Sequence, residues 1–175
     1  MTALPDLPAP RHPGTYAIAL VCLGNICRSP MAHVVLAERV DQAGLSASVR
    51  VASCGTGGWH VGDEMDQRAA ATLLAAGYDP TSHRARQFDA TWLDDHDLVL
   101  AMDHDNLADV SSVAPTPRVR LFRDYDPVGT GGEVPDPYYG GPAGFEEVLA
   151  MVERTAATIV AALERSRASA GGGLA

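Results

Sequence analysis

The amino-acid sequence predicts an α/β fold in which a four-stranded parallel sheet is flanked by helices. Four apolar runs of strand length are separated by longer stretches, several of which have the apolar spacing or the alanine content of helices. Strands that alternate with helices make right-handed crossovers, and such crossovers build a parallel sheet. Because 175 residues is a usual size for one domain, we expect a single three-layer domain of the Rossmann-like kind.

The first predicted strand covers residues 16–21, which are almost wholly apolar and are therefore expected to be buried. A helix follows from Met31, with Pro30 at its start, where a missing N–H costs nothing. Gly44 is expected to end this helix, because glycine readily adopts the left-handed conformation of helix C-termini. The other predicted strands cover residues 49–52, 97–102 and 118–122, and an alanine-rich helix over residues 66–76 is closed by Gly77.

The C-terminal part of the chain has the most regular helical pattern. Its apolar side chains recur every three or four residues, which predicts a packing helix without a chemical role. They are Phe145, Val148, Leu149, Val152, Ala156, Ile159, Val160 and Leu163. We expect the domain to span residues 16–166, between a flexible or extended proline-rich tail (residues 1–15) and a disordered C-terminal tail (residues 167–175).

Composition argues against several classes of protein. The formal net charge is −9 and no run of basic residues occurs, so neither a nucleic acid nor a membrane surface is expected as a partner. Three cysteines make no disulfide framework, and no Cys or His pair has the spacing of a metal site. No segment resembles a membrane span or a signal peptide. We therefore expect a cytoplasmic protein without a metal, although export without a recognisable signal peptide stays open.

The most informative segment lies where the first strand meets the first helix and reads Cys22-Leu-Gly-Asn-Ile-Cys-Arg-Ser29. Backbone N–H groups in such a loop, together with the helix N-terminus, attract an oxyanion. Arg28 adds a planar guanidinium that fits two phosphoryl oxygens. The same positive field favours the thiolate of Cys22, which is the nucleophilic form. We expect Gly24 and Asn25 to supply the positive φ that a tight anion-binding loop needs.

A thiolate that accepts a phosphoryl group also needs a proton donor for the leaving oxygen. Three Asp-Pro pairs offer a carboxyl group, at Asp79, Asp126 and Asp136. Such pairs are common in turns, so the residues alone leave the choice open. Asp136 is favoured because Tyr138 and Tyr139 follow it, and two aromatic rings can wall an aryl group and favour the protonated acid.

Five parts of the sequence, in the same order, resemble the low-molecular-weight protein tyrosine phosphatase family. They are Val21–Pro30, Ser53–Thr56 with Trp59–Gly62, Ser82–Gln87, Ala101–Asp103 with Asn106–Leu107, and Asp136–Gly140. The resemblance covers residues 16–166, and its second part looks like the actinobacterial branch. It implies hydrolysis of phosphotyrosine in proteins, and of small aryl phosphates, through a phosphocysteine intermediate and without a cofactor.

By this resemblance Cys22, Arg28 and Asp136 are the catalytic residues. The phosphate-binding loop then includes Leu23, Gly24, Asn25, Ile26, Cys27 and Ser29. The family's supporting residues around this loop correspond to Ser53, His83 and Asp103. The resemblance also implies that oxidation can join Cys22 to Cys27 in a reversible disulfide.

The substrate cleft is expected to be walled by Trp59, Tyr138 and Tyr139. Trp59 lies among several glycines, which favours an exposed loop over a core position. A deep aromatic cleft suits phosphotyrosine better than the shorter phosphoserine.

Two other functions fit parts of the pattern. One is an arsenate reductase-like enzyme, which needs further cysteines for a disulfide relay, yet no cysteine follows Cys54. The other is a non-catalytic phosphate-binding module, which would not need Cys22 and Asp136 together. Cys54 itself departs from the alanine that is frequent in this branch of the family, and we expect it to pack in the core.

Overall fold

The computed structural model of the chain describes residues 3–171 and has the predicted α/β architecture. Its sheet contains four parallel strands in the order β2-β1-β3-β4. The strands are β1 (Tyr16–Cys22), β2 (Val49–Gly55), β3 (Leu98–Ala101) and β4 (Val119–Leu121). The helices are α1 (Arg28–Gln42), α2 (Gln67–Ala75), α3 (Thr91–Asp95), α4 (His104–Val113) and α5 (Pro142–Gly171), and a short 3-10 helix covers Phe122–Tyr125.

Helices cover both faces of the sheet, which confirms the prediction of three layers. On one face α1, α2 and α5 bury the larger apolar cluster, which includes Leu20, Leu36 and Phe145. On the other face α3 and α4 cover a smaller cluster that includes Val21 and Val110. Strand β1 is buried along its whole length because it lies inside the sheet with a helical layer on each side.

Helix α1 begins at Arg28, earlier than the sequence predicts, so that Arg28 and Ser29 form its first turn ahead of Pro30. This start fixes the direction of the Arg28 side chain relative to the loop that precedes the helix. The predicted C-terminal stop is confirmed: Gly44 follows the helix with a φ of 73°, a conformation that costs glycine little.

The short helices α3 and α4 are missing from the sequence-based prediction. Helix α4 begins after Asp103, whose carboxylate accepts a hydrogen bond from the backbone N–H of Asn106 at 2.7 Å. An aspartate at this position is a recognised N-cap, so the start of α4 had a readable signal. Its buried residues are few, and for that reason no helical period is visible in the sequence.

Both predicted tails differ from the structure. The segment before β1 is extended but bound to the domain: the N–H of Arg11 donates to Asp97 at 2.6 Å, and the hydroxyl of Tyr16 donates to the carbonyl of Pro8 at 2.9 Å. At the other end α5 continues to Gly171, so residues 167–171 are helical where disorder was predicted. Residues 1–2 and 172–175 of the predicted tails lie outside the described residues.

The connections between strands and helices identify the carboxyl ends of β1 and β3 as a candidate site. After β1 the chain enters α1 on one face, and after β3 it enters α4 on the other face. Adjacent parallel strands whose helices lie on opposite faces leave a crevice at their carboxyl ends. Cys22 ends β1, and Asp103 follows β3 closely. Across residues 3–171, every helix is too short or too polar to span a membrane.

Candidate active site

The Cys22 sulfur lies at the floor of the loop between β1 and α1. The residue is 3% exposed, and its Sγ atom accepts a hydrogen bond from the N–H of Asn25 at 3.3 Å. The Ser29 hydroxyl lies 3.0 Å from the same sulfur. The first turn of α1 contains no acidic residue, so its N–H groups face the loop without a competing negative charge. These donors can stabilise negative charge on the sulfur.

Asn25 gives the loop its shape. It has a φ of 56°, and it is the one residue other than glycine with a positive φ among residues 3–171. Its Nδ2 atom donates to Ser29 Oγ at 2.8 Å and to Ser53 Oγ at 3.0 Å, and its Oδ1 accepts from the N–H of Arg86 at 2.9 Å. Because Ser29 Oγ already accepts from Asn25, its own hydrogen can point at the Cys22 sulfur at 3.0 Å or at the more distant carbonyl of Cys54 at 3.4 Å.

Gly24 does not share this conformation, so the prediction that it supplies a positive φ is wrong. Glycine is favoured at position 24 for a different reason, which is the lack of space for a side chain. A Cβ atom at Gly24 would lie 3.2 Å from Cδ2 of the His60 ring, which is tighter than ordinary contact. His60 thus packs directly over the loop, and sequence reasoning missed it.

Two histidines lie behind the loop. His83 Nε2 lies 2.8 Å from the carbonyl oxygen of Asn25, so this nitrogen carries the hydrogen and donates. His33, which sequence reasoning missed, has its Nδ1 3.1 Å from Ser53 Oγ. Burial lowers the pKa of His33 to about 4, with further contributions from His83 and Arg86. His33 is therefore neutral, and its Nδ1 accepts the Ser53 hydrogen while Asn25 donates to Ser53.

Arg28 is almost fully buried and is held from behind. Its Nη1 donates to Asp103 Oδ2 at 2.6 Å and to the carbonyl of Val134 at 3.1 Å. Burial disfavours the charged form, but Cys22, Asp103 and Asp136 outweigh this effect and raise the pKa of Arg28. With Nη1 occupied, Nη2 lies toward the mouth of the loop, 3.7 Å from Asp136 Oδ2.

The three candidate Asp-Pro pairs lie in different surroundings. Asp136 lines the same cleft as Cys22 and Arg28, and 39% of its side chain is exposed. Asp126 is fully buried, which by itself would raise its pKa, but hydrogen bonds from Arg154, the N–H of Val128 and Arg123 together lower it. Asp79 accepts hydrogen bonds from Thr81 in a surface turn. The cleft therefore holds one of the three aspartates.

The cleft above the loop has a volume of about 310 Å³. Loop residues form its floor, and Trp59, His60, Asp136, Tyr138 and Tyr139 form its walls. The rings of Tyr138 and Tyr139 meet edge to face, with centroids 5.0 Å apart. Trp59 is 73% exposed, as the glycine-rich sequence around it predicts.

The other two cysteines differ in position. Cys27 is a buried thiol in the same apolar cluster as Cys22, and burial, with Asp66 and Cys22, raises its pKa to about 12. Cys54 belongs to the cluster on the opposite face of the sheet, where it pairs with Val21. Cys54 therefore packs in the core, on the face of the sheet opposite to Cys22. The Cys22–Cys27 disulfide stays a prediction.

A sequence profile of the family described as low molecular weight phosphotyrosine protein phosphatase matches residues 17–169. The chain belongs to this family. Within residues 3–171, the His, Cys, Asp and Glu side chains form no group of three that could hold a metal ion.

Two relatives with similar sequences are proteins of the same family. The low molecular weight protein-tyrosine-phosphatase of Streptomyces coelicolor is 50% identical over 155 residues, covering 85% of this chain and 94% of that protein. Low molecular weight protein-tyrosine phosphatase A of Mycobacterium tuberculosis is 46% identical over 139 residues, covering 78% and 84%. The predicted relationship to actinobacterial members is thereby confirmed.

Solved structures show the same fold. A protein tyrosine phosphatase from Entamoeba histolytica, with Hepes in its active site, matches with a TM-score of 0.82 at 29% identity, covering 87% of this chain and 99% of that one. YfkJ from Bacillus subtilis matches with a TM-score of 0.81 at 32% identity, covering 87% and 96%. This chain is thus a cysteine-dependent protein-tyrosine phosphatase that hydrolyses phosphotyrosine, and the arsenate reductase-like and non-catalytic alternatives are not favoured.

Proposed function

We propose that this phosphatase acts by two successive phosphoryl transfers, with Cys22 as the nucleophile, Arg28 as the phosphoryl-binding residue and Asp136 as the acid and base. One observation carries the proposal. The buried Cys22 sulfur accepts hydrogen bonds at the floor of the cleft, and both Arg28 Nη2 and Asp136 lie at the mouth of the same loop. A phosphoryl group held by the loop would therefore lie beside all three.

In the first step the Cys22 thiolate attacks phosphorus. The bond between phosphorus and the tyrosyl oxygen breaks, and its electron pair passes to that oxygen, which takes a proton from Asp136. The N–H groups of the loop and the Arg28 guanidinium hold the other phosphoryl oxygens, where negative charge is concentrated. The products are tyrosine and a phosphocysteine at Cys22.

In the second step water breaks the phosphocysteine. Asp136, now ionised, takes a proton from the water whose oxygen attacks phosphorus. The sulfur–phosphorus bond breaks, and its electron pair returns to Cys22. The Ser29 hydroxyl, 3.0 Å from the sulfur, stabilises the returning thiolate and so makes it a better leaving group.

The remaining polar residues hold these groups in place. Asp103 binds Arg28 Nη1 and so leaves Nη2 for the substrate. Ser53 and His83 bind the side chain and the carbonyl of Asn25. A loop that is shaped before the substrate arrives need not reorganise during the reaction, which is a large part of electrostatic catalysis.

The cleft supports phosphotyrosine as the substrate. A phosphate on the loop floor leaves an aryl ring between Trp59 and Tyr138, both of which are exposed toward the cleft. Phosphoserine is shorter and has no ring to stack. We expect kcat/KM to be greater by orders of magnitude for a phosphotyrosine peptide than for the same peptide with phosphoserine.

Peptide pairs test this function directly. Trp59→Ala and Tyr138→Ala should each reduce the ratio of kcat/KM for the phosphotyrosine peptide to kcat/KM for the phosphoserine peptide. Cys22→Ser should abolish turnover of both peptides. Equal kcat/KM for the two peptides in the unaltered enzyme would contradict the proposed substrate class.

The proposed setting is the cytoplasm, with tyrosine-phosphorylated proteins as partners. Two features support it: a nucleophilic thiol needs a reducing environment, and the net charge of −9 disfavours nucleic acids and anionic membranes. Fractionation of cells that produce the protein, with detection in the cytoplasmic fraction, is the expected result; recovery in the medium would contradict it.

A further inference from the structure

A run of hydrogen bonds joins the phosphate loop to the segment that carries Asp136, and it passes through the start of α2. Asp66, the N-cap of α2, donates its backbone N–H to the carbonyl oxygen of Ile26 in the loop at 2.9 Å. Its carboxylate accepts two bonds from the Arg68 guanidinium, at 2.9 and 3.1 Å. Arg68 Nη1 then donates to the carbonyl oxygen of Tyr138 at 3.0 Å.

The Arg68 guanidinium is fixed from several directions. Its carbon atom Cζ lies 4.8 Å from the centre of the Phe145 ring and 5.4 Å from the centre of the Tyr138 ring. Phe145 is fully buried near the start of α5, so it provides a rigid surface. An arginine already bound to a carboxylate on one edge loses little freedom when it binds a carbonyl with the other.

The segment that carries Asp136 has few other attachments. Residues 135–140 contain neither helix nor strand. Within the described part of the chain, Arg68 makes the one hydrogen bond between these residues and the rest of the protein; their other bonds stay within the segment. The ion pair between Arg28 and Asp136 is longer, at 3.7 Å. Before this segment the chain is held at Val134, whose N–H donates to the carbonyl of Met102 and whose carbonyl accepts from Arg28. Beyond Val134, the contact from Arg68 is the hydrogen bond that holds the segment with Asp136 in place.

We propose that Arg68 is a positioning residue for Asp136. By holding the Tyr138 carbonyl, it fixes the turn in which the Tyr138 N–H donates to Asp136 Oδ1 at 3.1 Å. That bond occupies one carboxyl oxygen and leaves Oδ2, the oxygen nearer to Arg28, to exchange the proton. The inference rests on the proposed role of Asp136 as general acid. Because Arg68 also binds Asp66, and Asp66 binds the carbonyl of Ile26, the distance between Asp136 and the loop depends on the same set of hydrogen bonds.

Leaving-group dependence tests this role, because a general acid matters most when the leaving oxygen is basic. Arg68→Met removes the donors and keeps the apolar stem. We expect it to lower kcat/KM about tenfold for phenyl phosphate and less than about twofold for 2,4-dinitrophenyl phosphate, whose leaving group needs no proton. Arg68→Lys, which keeps a charge and one donor, should recover part of the loss. The charge-matched control is Arg165→Met at an exposed position of α5 outside the cleft, which should leave both rates unchanged.

A double variant separates positioning from a general structural effect. If Arg68 acts through Asp136, then Arg68→Met in an Asp136→Asn background should lower kcat/KM for phenyl phosphate less than about twofold further, because coupled residues are not additive. An equal loss on both substrates, or full additivity in the double variant, would overturn the role of Arg68. Should Arg68→Met fail to fold, the same comparison with Arg68→Lys decides. If Asp136→Asn alone showed no leaving-group dependence, the proposed acid would be wrong instead.

Discussion

Asp126 and Asp136 each precede a proline, but they differ in burial and partners. Asp126 is fully buried, with Arg123 Nε at 2.9 Å from one oxygen and Arg154 Nε at 2.7 Å from the other. Asp136 lies on the open cleft, within reach of Arg28 alone among the charged side chains of the described residues. Removing a buried carboxylate that binds two arginines is destabilising, whereas an accessible carboxylate on the cleft can exchange protons with a bound molecule.

Asparagine at Asp136 should therefore lower activity with little change in stability, whereas asparagine at Asp126 should lower stability with little change in activity. Asp136→Asn should lower kcat/KM for phenyl phosphate about a hundred- to ten-thousandfold, with a change of less than about 1 kcal/mol in the free energy of unfolding. Asp126→Asn leaves the partly buried Arg123 and Arg154 without their carboxylate partner and should cost about 1–3 kcal/mol of that free energy, while kcat/KM stays within a few-fold. Aryl phosphate kinetics and urea denaturation measure both. A folded Asp126→Asn enzyme with the larger kinetic loss would reverse the assignment.

At the scale of the elements, the loop between β1 and α1 depends on the side chain of Asn25. Asn25 combines a left-handed backbone with three side-chain hydrogen bonds, to Ser29, Ser53 and the N–H of Arg86. Asparagine tolerates this conformation better than other residues with a Cβ atom. The loop thus keeps its donors directed inward because one residue satisfies both the backbone and its neighbours.

Replacing this side chain should open the loop. Asn25→Ala loses the three bonds and places alanine in a strained conformation, so the free energy of unfolding should fall by about 3 kcal/mol. Affinity for inorganic phosphate should fall more than tenfold by calorimetry, because the N–H groups no longer converge. Asn25→Gly, which removes the strain but not the loss of bonds, should recover stability in part. Unchanged phosphate affinity in Asn25→Ala would show that the loop does not depend on this residue.

The elements also show what the sequence could predict. Strand β1 and helix α5 carry strong, continuous apolar patterns and were predicted within a few residues at most boundaries, whereas α4 buries too few residues to show a period. The neighbours of Cys22, Arg28 and Asp136 along the chain led to the prediction that they are catalytic, and the structure brings the three to one cleft; their roles stay a prediction.

Other parts of the site depend on contacts between distant segments. The carbonyl of Val134 binds Arg28 across 106 residues of sequence, and Arg68 reaches the carbonyl of Tyr138 across 70. Backbone carbonyls carry no sequence signal, so such partners could not be predicted. For the same reason, the bound N-terminal segment could not be distinguished from a free one by its prolines.

For the molecule as a whole, buried histidines make stability depend on pH. Burial lowers the pKa of His33 to about 4 and also lowers the pKa values of His83 and His96. The unfolded chain takes up protons at these residues below about pH 6.5, while the folded chain takes them up only at lower pH. Stability is therefore fully present above about pH 6.5 and is lost as pH falls toward the folded pKa values.

A histidine substitution tests this dependence. The free energy of unfolding should decrease from about pH 6.5 to pH 4.5, and His33→Gln should reduce that slope by about 1 kcal/mol per pH unit. Glutamine can still accept the Ser53 hydrogen, so the loop contact survives. Equal slopes for the unaltered protein and His33→Gln would show that His33 is not buried in its neutral form.

The central claim is that the whole domain serves to form and then break a phosphocysteine at Cys22, and one trapping experiment tests it most directly. Asp136→Asn enzyme is mixed with 2,4-dinitrophenyl phosphate, whose leaving group needs no proton, and is quenched during turnover. Without its base, the variant should form the intermediate readily but hydrolyse it slowly. Mass spectrometry should then find one phosphoryl group per chain, on the peptide that contains Cys22. Continued turnover without a phosphorylated chain, or with the phosphoryl group on another residue, would contradict the account.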